Sequence, residues 1–176
     1  EISAFNECIS LKNIEIDADN KVYKAIDGNI YSKNGDILIK YIPKLGETKF
    51  KAPSTVSVIG NCAFYECKEL KEIELPENLR TIESLAFYGC KSLKSISLPS
   101  STSIIDFRAF AKCTALENVN LPNGLLLIDM EAFDGCISLK SIVIPNSVMK
   151  IGTRAFNDCY SLEEASVPGG MDIMEA

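Results

Sequence analysis

Residues 70–90 read LKEIELPENLRTIESLAFYGC and residues 93–113 read LKSISLPSSTSIIDFRAFAKC. Laid over one another, they match Leu70 to Leu93, Ile73 to Ile96, Leu75 to Leu98, Pro76 to Pro99 and Ile82 to Ile105. Ala86-Phe87 then falls on Ala109-Phe110, and Cys90 on Cys113, always at an offset of 23 residues. Working outward, Ala-Phe recurs at Ala63-Phe64, Ala132-Phe133 and Ala155-Phe156, each followed three residues later by Cys67, Cys136 or Cys159. Self-similarity at one fixed period marks a repeat architecture. So short a unit cannot bury its own apolar face, and stacked units bury each other's, which predicts a solenoid.

Within a unit, the Ile-x-Leu alternation predicts a short strand, and such strands stack in parallel about 4.8 Å apart. Proline closes each strand because it cannot donate to the ladder. The residues after it are turn formers: Glu77-Asn78, Ser100-Ser101, Asn123-Gly124, Asn146-Ser147. The chain is then expected to return through the Leu79 and Ile82 columns to a short helical turn carrying Ala86 and Phe87, which makes the class α/β. The Leu79 column continues at Leu125 and Val148, with Thr102 as its exception.

Residues 3–16, SAFNECISLKNIEI, read as another copy, and residues 18–49 as an insertion before a degenerate unit resumes near Phe50. Two glycine turns, Asp27-Gly28 and Asn34-Gly35, separate β-rich runs in that insertion. They predict a β-meander packed on the edge of the array. The expectation is one domain over 1–176, with repeat units at 3–16 and 50–176 and the β-rich insertion at 18–49. No capping segment is read at either end, so either a piece of a longer array or an end covered by a self-contact is expected.

The unit L-x-x-I-x-L-P-x-x-L-x-x-I-x-x-x-A-F-x-x-C resembles the BspA-type leucine-rich repeat. So does the insertion, through Asp27, Gly28, Ile30, Tyr31 and Ser32, followed by Tyr41 and Pro43. The resemblance implies a right-handed leucine-rich-repeat solenoid. It also implies a secreted or surface-exposed protein, extracellular in location, because members are typically surface proteins of host-associated bacteria and some protozoa. Several members are adhesins that bind host extracellular proteins. The family brings no shared catalytic motif. Departures from the pattern are Asp17 for proline, Thr102 for leucine, Ala165 for isoleucine and Glu47 at a leucine position.

Composition narrows the function classes. The formal net charge is -6, from 18 Lys+Arg against 24 Asp+Glu. The chain therefore lacks the basic footprint that nucleic acid selects for. With His at 0, Ser-His-Asp catalysis and His-ligated metal sites are excluded. No apolar run is long enough to span a membrane. No cofactor or metal is expected. Asp17, Asp19 and Asn20 hint at calcium, but D-A-D-N lacks the following Gly and distal Glu of an EF-hand.

Three surface readings remain. The cysteine column is either buried free thiols, which pack as small hydrophobes, or a disulfide or metal site. Cys62, outside that column, is expected to be the exposed thiol. The strand face offers outward side chains flanking each central Ile: Glu72 and Glu74, Ser95 and Ser97, Asn118 and Asn120, Ser141 and Val143. They are either a partner-binding surface or a solvated sheet. Glu72 and Glu74 share one face, as a solvated acidic row far more often than as a catalytic dyad. On the return segment, apolar excess gathers at Ile104, Phe107, Leu126, Leu127, Met130 and Met149. Either half of these turn inward to compensate for Thr102, or they form a partner surface or an interface for weak self-association. The function expected is a non-catalytic protein-binding module, with a passive spacer as the alternative.

Overall fold

The computed structural model describes residue 11 and residues 13–169. Each coil contributes two short strands. The face strands are β4 (Lys49–Lys51), β6 (Glu72–Glu74), β8 (Ser95–Ser97), β10 (Asn118–Asn120), β12 (Ser141–Val143) and β14 (Glu164–Ser166). The return strands are β5 (Val58–Ile59), β7 (Thr81–Ile82), β9 (Ile104–Ile105), β11 (Leu127–Ile128) and β13 (Lys150–Ile151). Return strands pair in parallel with the next coil, Ile59 beside Ile82 and Ile82 beside Ile105. The architecture is a β-solenoid.

No helix occurs among the described residues, which corrects the α/β expectation. The segment carrying Ala86 and Phe87 is a run of tight turns, with Ala86 N–H donating to Glu83 O at 3.1 Å and Tyr88 N–H to Leu85 O at 3.1 Å. A left-handed residue separates successive turns: Leu85 has φ 59° and Gly89 φ 70°, and the pattern recurs at Arg108 and Lys112, φ 51° and 61°. A residue with positive φ cannot propagate a right-handed helix. The alternate N–H groups freed by this geometry donate to the next coil: Leu85 to Phe107 O, Phe87 to Ala109 O and Gly89 to Ala111 O, at 2.9, 2.7 and 2.9 Å. A helix would have used those donors internally and left the coils unjoined at this edge.

The core is a set of columns running through the coils. Phe64, Phe87, Phe110, Phe133 and Phe156 stack nearly parallel, with centroid spacings of 4.8, 5.0, 5.2 and 5.3 Å. Beside them the thiols from Cys90 onward donate to a phenylalanine carbonyl one coil back: Cys90 to Phe64 O at 3.3 Å, Cys113 to Phe87 O at 3.1 Å, and Cys136 to Phe110 O at 3.2 Å. Cysteine suits the position because it packs as a small hydrophobe yet keeps a weak donor. Thr102 is buried in its column, and its hydroxyl donates to Leu79 O at 3.2 Å.

Strands β1 (Tyr23–Ile26), β2 (Asn29–Ser32) and β3 (Ile37–Lys40) form an antiparallel meander. β3 then pairs in parallel with β5, so the meander extends the return sheet. Its exit imitates a coil. Tyr41 lies 23 residues before Phe64 and its ring sits 5.1 Å from it, with Phe50 at 5.0 Å from Tyr41. Tyr41 N–H donates to Ala63 O at 3.0 Å, and the buried Lys40 Nζ donates to Cys62 O at 2.9 Å. The repeat copy read at residues 3–16 falls mostly outside the described residues.

Candidate functional site

From β4 to β12 the face strands hold their central residues inward and their flanking residues outward, as period-two geometry requires, whereas all three residues of β14 are exposed. Glu72, Glu74, Ser95, Ser97, Asn118, Asn120, Ser141 and Val143 are all exposed. The two acidic residues are not a free carboxylate row. Lys49 Nζ sits 2.7 Å from Glu72 Oε2, and Lys51 Nζ 2.7 Å from Glu74 Oε2. The hydrogen bond from Lys51 and its charge hold the Glu74 carboxyl below the usual range. Lys140 and Glu117, at 2.8 Å, form a third pair beside β10 and β12. The partners in all three are 23 residues apart, so the repeat period itself is the signal that finds them.

The face ladder is closed at some coil pairs and open at others. Ala52 N–H to Glu74 O, Leu98 N–H to Asn120 O and Ile144 N–H to Ser166 O, at 3.0, 3.2 and 2.8 Å, close the pairs β4–β6, β8–β10 and β12–β14. No equivalent bond joins Leu75 to Ser97 or Leu121 to Val143. A groove lies over each opening. The first, about 440 Å³, is lined by the charged pairs of β4 and β6 together with Ser95 and Ser97. The second, about 750 Å³, lies over β10 and β12 and is lined by Asn118, Asn120, Asn123, Ser141 and Val143 over a floor of Leu98, Leu121 and Pro122.

On the return side, Ile104 and Leu127 are neighbours in the ladder and half-buried. Phe107 is half-buried, with the Arg108 guanidinium 5.0 Å above its ring. Met149, Leu126 and Met130 are 81%, 45% and 42% exposed. They do not turn inward, because Thr102 fills its own slot in the Leu79 column.

The six cysteines among the described residues are free thiols. Burial pushes the Cys67 thiol up to about 12 and the Cys159 thiol to about 11, and holds Cys90 and Cys136 well above the ordinary value. The expectation for Cys62 is corrected: it is buried, because the left-handed turn that starts at it (φ 56°) lies under the Lys40 side chain. Cys159, in the last described coil, is the half-exposed thiol. Asp17 and Asn20 spend their side-chain oxygens on local turns, accepting from Asp19 N–H at 2.7 Å and from Val22 and Tyr23 N–H at 2.9 and 2.8 Å. Sequence reasoning missed the Arg108–Glu131 and Lys112–Asp134 pairs at the turn edge, 2.5 and 2.8 Å.

A model of the BspA type leucine rich repeat region matches residues 43–163 in 6 copies. No curated protein matches the chain. Among solved structures, a leucine rich cell surface protein from Faecalibacterium prausnitzii is 34% identical with a TM-score of 0.82, over 94% of this chain and 44% of that one. A leucine-rich repeat protein from Bacteroides ovatus is 32% identical with a TM-score of 0.70, over 88% of this chain and 42% of that one. The leucine rich repeat protein of T. pallidum is 32% identical with a TM-score of 0.72, over 88% of this chain and 72% of that one. The chain thus spans less than half the length of the first two. No helix among the described residues is long and apolar enough to cross a membrane.

Proposed function

Because this chain belongs to the BspA-type leucine-rich repeat family, we infer that it is a non-catalytic protein-binding module of a cell-surface or secreted protein. Its partner on this reading is a host extracellular or cell-surface protein, and its role is adhesion. The observation that carries the reading is the face itself: short side chains from successive coils stand exposed on a ladder whose interior is packed. Short side chains on a rigid backbone lose little entropy when a partner docks. The surface setting draws on the family and on relatives such as the F. prausnitzii cell surface protein.

A second reading, a passive spacer that displays another domain, draws on the charge pairing of β4 with β6, which satisfies those side chains without a partner. The two readings differ in one experiment. The immobilised chain captures protein from host extracellular matrix, and the variant Glu74→Lys with Ser97→Lys and Asn120→Lys loses that capture at unchanged melting temperature. Capture that is absent, or indifferent to these substitutions, leaves the spacer.

A further inference from the structure

We propose that Asn123 is a site of spontaneous deamidation, at which water converts the side-chain amide to an acid through a cyclic imide formed on the Gly124 nitrogen. The chemistry sets the requirements. The main-chain nitrogen of the following residue attacks the Asn Cγ, the Cγ–Nδ2 bond breaks, and the amide proton leaves with that nitrogen as ammonia. Water then opens the imide at either carbonyl, giving aspartate or isoaspartate, with no oxidation or reduction. A side chain on the following residue crowds the attack, so glycine is the permissive neighbour. A nitrogen whose N–H is held in a hydrogen bond has to break that bond first.

Asn-Gly occurs at Asn34-Gly35 and at Asn123-Gly124, and the structure separates the two. Gly35 is buried in the meander turn at φ 84°, its N–H donates to Ser32 O at 2.9 Å, and the Lys24 side chain lies against it. Gly124 is exposed beside an exposed Asn123, and neither its N–H nor the Asn123 amide has a hydrogen-bond partner among the described residues. One main-chain bond closes the turn around them, Leu125 N–H to Pro122 O at 3.0 Å. The glycine is required there, because a Cβ on it would stand 2.7 Å from Ser100 O. The packing that excludes a side chain at 124 thus keeps the reactive pair in place. One coil on, Asn146-Ser147 occupies the same turn, closed by Val148 N–H to Pro145 O at 3.1 Å. Ser147, however, carries a side chain, whose hydroxyl donates to Leu125 O at 2.7 Å. Asn118 and Asn120 lie in β10 and precede Val119 and Leu121, whose branched side chains crowd the attack. Asn123 and Gly124 line the groove over β10 and β12, so the product carboxylate adds a negative charge to that groove.

The test ages the folded chain in mildly alkaline buffer and counts aspartate and isoaspartate at each asparagine by peptide mapping with mass spectrometry. Conversion should appear first at Asn123, with Asn34 slower by about fivefold, the effect of the one hydrogen bond at Gly35. Asn146 should lag as well. In urea the two Asn-Gly sites should lose their difference and convert at similar rates. Asn123→Gln should remove the early product and the ammonia released with it, at unchanged melting temperature, since position 123 is exposed. Asn34 converting as fast as Asn123 in the folded chain would overturn the proposal, as would Asn146 keeping pace with Asn123. An Asn123 that stays intact in the folded chain while converting in urea would overturn it too. None of these readouts depends on a partner, so this proposal and the reading of the strand face as a binding surface fail separately.

Discussion

The aromatic column makes a quantitative demand on stability. Phe110 is fully buried and stacked on both faces, 5.0 Å from Phe87 and 5.2 Å from Phe133. Phe156 is half-buried and stacked on one face, 5.3 Å from Phe133. Truncating a fully buried Phe to Ala costs about 3–5 kcal/mol, from lost transfer energy plus the cavity. Phe110→Ala is placed at about 4 kcal/mol, because inward columns on both sides of it hold the cavity open. Phe156→Ala, with about half the burial and one stacking partner, is placed at about 2 kcal/mol. At about 2–4 °C per kcal/mol for a chain of this size, the melting temperature falls by about 8–16 °C in the first and about 4–8 °C in the second. Urea unfolding followed by far-UV circular dichroism measures both, with Phe110→Leu between parent and Phe110→Ala. Equal costs for the two alanine variants would refute the reasoning, since they would mean that position along the stack does not set the energy.

Four further outcomes are expected. Among the described cysteines of the folded protein a thiol reagent modifies Cys159 first, and the buried ones react only on unfolding; the raised thiols are protonated in the folded state beyond the ordinary 9.0. Stability should therefore be intact below pH 9 and fall as pH rises toward about 12, at up to about 1.4 kcal/mol per pH unit for Cys67, which alkaline urea titrations at several pH values would measure. Gly152→Ala drives a methyl group into the main chain of Asp129 and Met130 and should cost about 1–3 kcal/mol, whereas Gly169→Ala enters open space and should be neutral by the same urea assay. If the return face self-associates, Leu126→Asp with Met149→Asp should abolish the concentration dependence of the sedimentation coefficient at unchanged fold, and a parent that sediments as a monomer at every concentration removes that interface.

The columns were legible because stacking converts each inward position into a line of identical neighbours, so Phe64, Phe87 and Phe110 must agree with one another. The turn edge was misread for a physical reason. Ala-Phe-x-x-Cys has the spacing of one helical turn, but a left-handed residue stands just before it at Cys62, Leu85, Arg108, Glu131 and Arg154, and another inside it at Glu66, Gly89, Lys112, Gly135 and Asp158. Gly89 and Gly135 are the kind of residue that announces such a conformation, and the others are not. At those the conformation is held by the inter-coil bonds on either side, a tertiary effect that leaves no local mark. The return strands, two residues long in β7 and β9, are too short to show alternation. The open and closed ladder pairs are equally silent: Ser95-Ile96-Ser97 borders a closed pair on one side and an open one on the other with a single pattern. Tyr41 could have been found, since it stands one period before Phe64.

The division between inward and outward positions also locates where function can reside. Inward, one coil is interchangeable with the next: Ala, Phe, Cys and Leu recur, and the thiols of Cys90, Cys113, Cys136 and Cys159 make the same bond to the carbonyl one coil back. Such positions carry stability and cannot distinguish one coil from another. Outward, the same two face positions change from Lys-Lys to Glu-Glu, Ser-Ser, Asn-Asn and Ser-Val. A partner that recognises one place on this array can read only those differences. The first charged steps cancel between neighbouring coils, which makes them a means of holding register as much as a surface for recognition. The steps from Ser95 to Val143 have no such internal partner, and it is there that the sequence differences are left for another molecule to use.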